Sequence, residues 1–369
     1  MKNKILLILL FSFSILPAFA SNDTHGENEE LNVRELILDH IGDGYGWHIT
    51  TFGHEHVSIP LPIIVKGQES GWHLFSSSKL GHGHEYKGFS IASEEPYKGK
   101  IIEKIPAANE EGYEVVRPWD FSITKNAASL LLSSLVLVCL ILYCTRWYKK
   151  REGQAESASP KGFIAFVEMV IMSVVDDIIK PCVGKNYKRF VPYLLTVFFF
   201  IIFNNLLGLI PIFPGGANVT GNIAVTSVLA VCTLIIVNVF GSREYWKEIL
   251  WPDVPTWLKV PIPIMPAIEL VGVFTKPFAL MIRLFANILA GHSIVLGLVC
   301  MVFLTVRLGA AMNTGMSILA VVMVVFISCV ELLVAYIQAY VFTMLSAVFI
   351  GLAQVEPHHA HKKEDIIKH

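Results

Sequence analysis

Long apolar runs separated by short polar breaks fill the last two thirds of the chain, whereas the first third is polar and broken. Ala127–Tyr148 is the first run long enough to cross a bilayer; Val191–Phe213 and Ile223–Phe240 follow. Two much longer runs come next, Ile264–Val306 and Gly315–Ala353, of 43 and 39 residues. About 20 apolar residues suffice for a membrane helix, so five spans are expected. At about 1.5 Å per residue the last run reaches roughly 58 Å as one helix, against a hydrocarbon core near 30 Å. No proline and no turn cluster divides it. A single steeply tilted, partly protruding helix is therefore expected, antiparallel to the run before it. Gly162–Lys180 is apolar but interrupted by Glu168, Asp176, Asp177 and Lys180, the pattern of a helix lying in the cytoplasmic interface. The expected fold class is an all-α polytopic membrane protein. It has five embedded helices, the last two long and steeply tilted, with an interfacial helix and a small exported N-terminal domain.

The N-terminus carries processing signals. Lys2 and Lys4 precede the apolar stretch Ile5–Leu16, and Ala18-Phe19-Ala20 forms a cleavage site, which reads as a signal peptide over residues 1–20. An uncleaved first span is the alternative. Residues 21–125 then form an exported polar segment, with a short helix expected over Glu29–Asp43 and β-like runs at His56–Lys66 and Trp72–Phe75. Residues 126–355 form the membrane domain and 356–369 a cytoplasmic polar tail. Basic residues set the orientation. The stretches 144–190, 241–263 and 354–369 hold fifteen Lys or Arg, whereas 214–222 and 307–314 hold only Arg307. The mature N-terminus is expected outside and the C-terminus inside, in a bacterial inner membrane.

Composition narrows the function classes. Of 369 residues 54% are hydrophobic and only 16% charged, with a mean hydropathy of +0.57. A soluble domain carries about 25% charged residues, so a soluble enzyme, a disordered chain and a disulfide scaffold are excluded. The net charge of −1 gives no basic excess for nucleic acid. None of the six cysteines falls in 21–125, and no C-x-x-C pair exists. Eight histidines lie in 21–125, including His54-Glu55-His56 and His82-Gly83-His84-Glu85, and four more in the tail. Their spacing makes no paired ligand set; solvated surface is the plain reading, a proton-collecting surface the alternative. No cofactor and no metal site is expected. No G-x-x-x-x-G-K-[ST] loop is present, so any nucleotide chemistry belongs to partner chains.

Charge inside a span is expensive and marks function. Arg283 and Glu331 are the clear cases, with His292, Asn287, Gln338 and Lys276 as further polar residues. At 100° per residue, Lys276, Asn287 and Ala290 fall within about 40° of Arg283, whereas His292 points the opposite way. Glu331 and Gln338 are seven residues apart and share a face. The pattern is a fixed cation facing one way and a titratable His/Glu pair set apart from it. A mutual Arg283–Glu331 ion pair is the competing reading. Lys276 lies near enough to the cytoplasmic end to snorkel.

At these residues the chain resembles a known family. Lys276-Pro277, Arg283-Leu284-Phe285-Ala286-Asn287 and Ala290-Gly291-His292 are similar to the signature helix of subunit a of rotary ATP synthases. Glu269 fourteen residues before Arg283, Asn205 before Gly208 and Pro211, and Gln338 seven after Glu331 fit the same pattern. The resemblance covers roughly residues 115–355. In this family the His and the acidic residue occur in either order, and Gly208 stands where some members carry an acidic residue. The resemblance implies a proton-translocating stator subunit, itself without ATP catalysis, facing a rotating ring of c subunits that each carry one embedded carboxyl. It implies two offset half-channels with Arg283 between them. His292, Glu331, Asn205 and Gln338 would line the outer one, Asn287 would accompany Arg283, and Glu269 would lie near the inner exit. Implied partners are the c-ring, the peripheral-stalk subunit b and, through the stalk, the catalytic head, all within membrane lipid. The rival is a stand-alone secondary ion transporter with an intramembrane Arg–Glu gate, which predicts a paired repeat that the sequence lacks.

Overall fold

The computed structural model describes residues 42–52, 55–68, 70–92, 96–106, 113–150, 160–210, 216–251 and 264–354. The expected signal peptide, all but the last two residues of the expected helix Glu29–Asp43, and the tail lie outside the described residues. The chain divides into two compact units between Ser129 and Leu130.

The first unit is built of short antiparallel strands. β1 (Gly46–Phe52) pairs with β2 (Glu55–Pro60). β3 (Pro62–Gly67) lies between β4 (Gly71–Ser76) and β8 (Trp119–Asp120). β6 (Ile101–Pro106) lies between β5 (Phe89–Ile91) and β7 (Tyr113–Val116). The expected run His56–Lys66 is two strands rather than one. Pro60 and Pro62 cannot both donate within a continuous ladder; between them Leu61 turns inward, and its N–H donates to Ser77 Oγ at 2.9 Å. Alternation along β3 then sends Ile63 and Val65 into a core with Tyr45, Phe75, Leu80, Phe89 and Ile101. The buried Glu103 carboxylate accepts from Gln68 N–H and Ser70 Oγ, so its charge is hydrogen-bonded. The Tyr45 hydroxyl donates to Asp120, and burial, followed by that bond, raises its pKa well above the usual range.

The second unit is helical. α1 (Lys125–Lys149) begins in the first unit and carries the chain into the second. α2 (Phe163–Ser173) packs on the far end of α1 through Ile164, Val167 and Cys144. The helical path does not stop at Lys180. A π-helical turn (Val174–Ile179), α3 (Lys180–Val183) and a 3-10 turn at 184–186 lead directly into α4 (Tyr187–Leu209). The break that sequence periodicity placed at Lys180 comes instead at Gly184, whose φ of +77° is open to glycine and strained for other residues. α5 (Ile223–Val239) is followed by the short amphipathic α6 (Arg243–Leu250). α7 (Ile264–Thr305) and α8 (Ala310–Ala353) are uninterrupted helices of 42 and 44 residues. α8 starts five residues before the expected Gly315, because the true stop is Gly309, with φ +103°.

Among the described residues, four helical runs are long and apolar enough to cross a membrane: Lys125–Lys149, Phe163–Leu209, Met265–Thr305 and Ala310–Ala353. α5 with α6, bent by 101°, makes a fifth when that pair is taken as one span. α8 packs on both α7 and α4, and α5 packs on α7. The buried side of α8 is lined by small residues, among them Ala335, Ala339, Ser346, Ala347 and Ala353, which let helix axes approach closely where no hydrophobic force separates lipid from protein. Facing them is the core of Phe190, Leu194, Val197, Phe198 and Ile201 on α4. Cross-helix hydroxyls join in: Tyr193 meets Thr233 at 2.9 Å and Thr233 meets Ser346 at 3.4 Å. Ser133 on α1 donates to Asn204 on α4 at 2.8 Å. Such bonds contribute about 0.6 kcal/mol each on average.

The tightest approach is at Gly351, where a Cβ would collide with the backbone carbonyl of Cys182. Backbone cannot step aside as a flexible side chain can. Gly351→Ala should therefore destabilise the helical unit by about 1–3 kcal/mol, read as a lowered thermal midpoint in detergent. Gly315→Ala, with nothing within reach of its Cβ, should be neutral or slightly stabilising.

Candidate functional site

α7 supplies five of the polar residues singled out above, and its two sides differ sharply. Lys276, Arg283, Asn287 and Ala290 lie on one exposed side. Leu280, Leu284 and Ile288 lie on the other, inside the helical core. Arg283 is thus displayed outward on a wall of apolar side chains that includes Phe278 and Ile282. Among the described residues no carboxylate is within ion-pair distance of it. The Arg283–Glu331 pair that the sequence left open is not formed.

Glu331 pairs with His292 instead. The imidazole Nδ1 and the carboxylate Oε1 are in direct hydrogen-bond contact between α7 and α8. The side chains are 20% exposed for His292 and 7% for Glu331, so the carboxyl is the more deeply enclosed. Its seat is made by Gly291, whose Cβ position lies 2.9 Å from Oε1 and 3.3 Å from the Glu331 Cγ. Any larger residue at 291 would occupy the space the carboxyl now fills. His292 Nε2 is on the α4 side, 3.8 Å from where a Cβ on Gly208 would stand. One imidazole therefore sits between a carboxyl on α8 and a bare stretch of α4.

Asn205 on α4 continues the polar line. It is buried, and its Nδ2 donates to the Ala335 carbonyl at 3.1 Å, one helical turn beyond Glu331. Its Oδ1 is buried with no protein hydrogen-bond partner in the structure. Gln338, also buried, follows on the same side of α8. His292, Glu331, Asn205 and Gln338 are therefore gathered among α4, α7 and α8. Arg283 and Asn287 stay on the outward side of α7. Glu269 is half-buried and lies about 21 Å along α7 from Arg283, apart from both groups.

Two contributors were not assigned roles from the sequence. Gly291 stood inside the quoted motif, but the need for a missing side chain is visible only when α8 is packed against it. Asn204, beside Asn205, faces the other way and bonds to Ser133; two adjacent asparagines in an apolar run were the signal. For metal binding, no three His, Cys, Asp or Glu side chains converge among the described residues. Of the His–Glu clusters in the first unit, Glu85 is engaged by Lys104 at 2.7 Å, and His54 lies outside the described residues.

An outward-facing arginine on an apolar helix side and a separate enclosed titratable pair, carried on one long helix hairpin, define a class: the polytopic helical membrane proteins with ionisable groups inside the bundle. Comparison with known proteins makes this specific. The profile of the ATP synthase A chain family matches residues 129–351, nearly coincident with the helical unit. A second profile, described as a domain of unknown function, matches residues 36–121. The chain is 34% identical to ATP synthase subunit a of Chlorobium phaeobacteroides over 335 residues, covering 86% of this chain and 90% of that one. It is 41% identical to ATP synthase subunit a of Myxococcus xanthus over 247 residues, covering 65% and 75%. With the corresponding subunit of an Anaeromyxobacter strain the identity is 33% over 352 residues, covering 92% and 74%. The chain belongs to the ATP synthase A chain family, subunit a of the F-type ATP synthases.

The Gly291 seat gives a direct test. Gly291→Ala should push the Glu331 carboxyl off His292, seen as a changed imidazole 15N shift in selectively labelled protein in lipid. Gly297→Ala, where nothing lies within reach, should leave that shift unchanged.

Proposed function

We propose that this chain is the proton-conducting stator of a bacterial ATP synthase membrane sector, with Arg283 placed between two half-channels that reach opposite sides of the inner membrane. The observation that carries this reading is the division of α7: an exposed, unpaired Arg283 on one side, the enclosed His292–Glu331 pair on the other. A guanidinium is never practically deprotonated, so Arg283 passes no proton. It favours the ionised form of a carboxyl brought near it. A rotor carboxyl moving past must therefore release its proton first, into one channel, and regain one from the other. Each proton descending 100 mV makes about 2.3 kcal/mol available.

His292 and Glu331 are titratable, in contact, and flanked by the free Asn205 oxygen and by Gln338. These four line the outer half-channel in this reading, and they hand protons toward the ring. Asn287 shares the rotor-facing side with Arg283, and Glu269 lies toward the inner exit. The partners are the c-ring against the Arg283 side, the peripheral-stalk subunit b, and the catalytic head through the stalk. Nucleotide chemistry belongs to that head.

The topology follows the same reading. Residues 1–20 are a signal peptide, 21–125 a periplasmic domain, 126–355 the membrane domain and 356–369 a cytoplasmic tail. The unit boundary at Ser129 and the two separate profile matches support that partition. α1, α4, α5, α7 and α8 are the five embedded helices, and α2 lies in the cytoplasmic interface. At about 63 and 66 Å, α7 and α8 exceed the bilayer core twofold, which supports a steep tilt.

Arg283→Ala should abolish ATP-driven proton pumping in reconstituted vesicles of assembled complex, and Arg283→Lys should fail too, because a buried ammonium can lose its proton. Adding Glu331→Gln to Arg283→Ala should restore nothing. Wild-type coupling in that double variant would refute the mechanism in favour of a structural ion pair, which tolerates joint removal better than single removal.

Glu331→Gln and His292→Ala should each leave the subunit assembled yet slow proton flow by about a hundredfold or more, the scale on which positioned proton-transfer groups act. Undiminished pumping with both changed would remove the pair from the path.

A further inference from the structure

Among the described residues of the first unit, one sheet face carries a cluster of large apolar side chains that they leave exposed. In the sheet β4-β3-β8, Ile63, Val65, Phe75 and Asp120 turn to the core side. The opposite face carries Trp72 and Leu74 from β4, Trp119 from β8 and Phe121 immediately after it. All four are between 56% and 73% exposed. Register places them together: Lys66 is opposite both Trp72 and Trp119, and Ile64 is opposite Leu74. The Phe121 N–H donates to the Ile64 carbonyl at 2.9 Å, and its ring lies 5.6 Å from that of Trp72. Lys66 Nζ stands 5.9 Å from the Trp72 ring centroid. Two tryptophans, a phenylalanine and a leucine around one lysine form a contiguous patch, and scattered exposed apolar residues would need no such explanation.

We propose that this face rests on the outer surface of the bilayer, its aromatic rings in the headgroup region and Lys66 against anionic lipid phosphates. The proposal rests on reading α1 as a membrane span. Three observations favour lipid over a protein partner. Phe121 is four residues from Lys125, where α1 begins, so the patch is within about 14 Å of the point where the chain becomes membrane-embedded. The domain is also tied to that point: the Lys125 N–H donates to the Gly44 carbonyl at 2.8 Å and the Asn126 N–H to Asp43 Oδ1 at 3.0 Å. Losing these bonds would leave two first-turn N–H groups of α1 without their acceptors. The chemistry fits as well, since tryptophan favours the membrane–water boundary and a basic residue beside it is drawn to anionic headgroups. A sheet held there orders the entry to α1.

The test uses the full-length chain, one copy per nanodisc of phosphatidylcholine and phosphatidylglycerol at 3:1, with its six cysteines replaced by alanine. A polarity-sensitive fluorophore is placed by Trp72→Cys, by Trp119→Cys, by Lys100→Cys on the same domain, and by Leu135→Cys on the exposed side of α1. Lipid carrying a quencher just below the headgroup should remove most of the emission at 72 and 119 and leave that at 100 unchanged. Deep-quencher lipid should act on 135. Quenching at 135 with none at 72 and 119 overturns the proposal while leaving the span intact. No quenching at any of the three overturns both. Shielding at 72 and 119 that needs the assembled synthase, or that rises with the number of copies per disc, assigns the face to a protein partner or to a second copy and also overturns it. Without labels or cysteine changes, shallow-brominated lipid should quench a smaller share of tryptophan emission once Trp72→Phe and Trp119→Phe are combined.

Discussion

A carboxyl enclosed among membrane helices is costly unless it is hydrogen-bonded, and Glu331 has His292. That contact crosses from α8 to α7, so it ties the two longest helices together at the middle of α8 and about two thirds of the way along α7. It needs Gly291 to be bare and α4 to present only Gly208 opposite the imidazole. The same arrangement leaves Arg283 without a counter-ion among the described residues. Had Glu331 pointed to Arg283, the fixed charge would be neutralised internally and α7 would have no distinct sides. The pairing of histidine with glutamate is what leaves the arginine available to a group from outside.

Much of this was legible in the residues, and the reason differs from place to place. The separation of Arg283 from His292 follows from nine residues at 100° each, a property of one helix that needs no partner. The great length of α8 was readable because no proline or turn cluster interrupts its run, and α7 continues as one helix through Pro277. What needed the packed structure was everything depending on register between helices. That His292 meets Glu331, that Asn205 bonds to the Ala335 carbonyl, and that Gly291 forms the seat all depend on how far α8 slides along its neighbours. No spacing within a single helix encodes that offset.

Boundaries show the same division. Gly309 rather than Gly315 starts α8, since several glycines were available and only the backbone conformation distinguishes a stop from a packing position. The helix expected to end at Lys180 runs through a π turn to Gly184, because Asp176 and Lys180 pair along the surface instead of breaking it. In the first unit the alternation of Ile63, Val65 and Phe75 was enough to suggest strands. The division at Leu61 was not, since it rests on Ser77 sixteen residues away.

The seam of small residues along α8 has a mechanical meaning. Helices whose axes approach until alanine, serine and glycine touch backbone, as at Gly351 and Cys182, have little side chain left between them to deform. Such a contact resists shear far better than one cushioned by flexible leucines and methionines, because close-packed atoms transmit strain rather than absorb it. In the stator role proposed above, where the subunit holds still while a ring turns beside it, compliance is loss: any yielding of the support would be work not delivered to the axle. The low side-chain volume on the buried side of α8 is then a stiffness specification, written in the sequence as a run of the smallest residues.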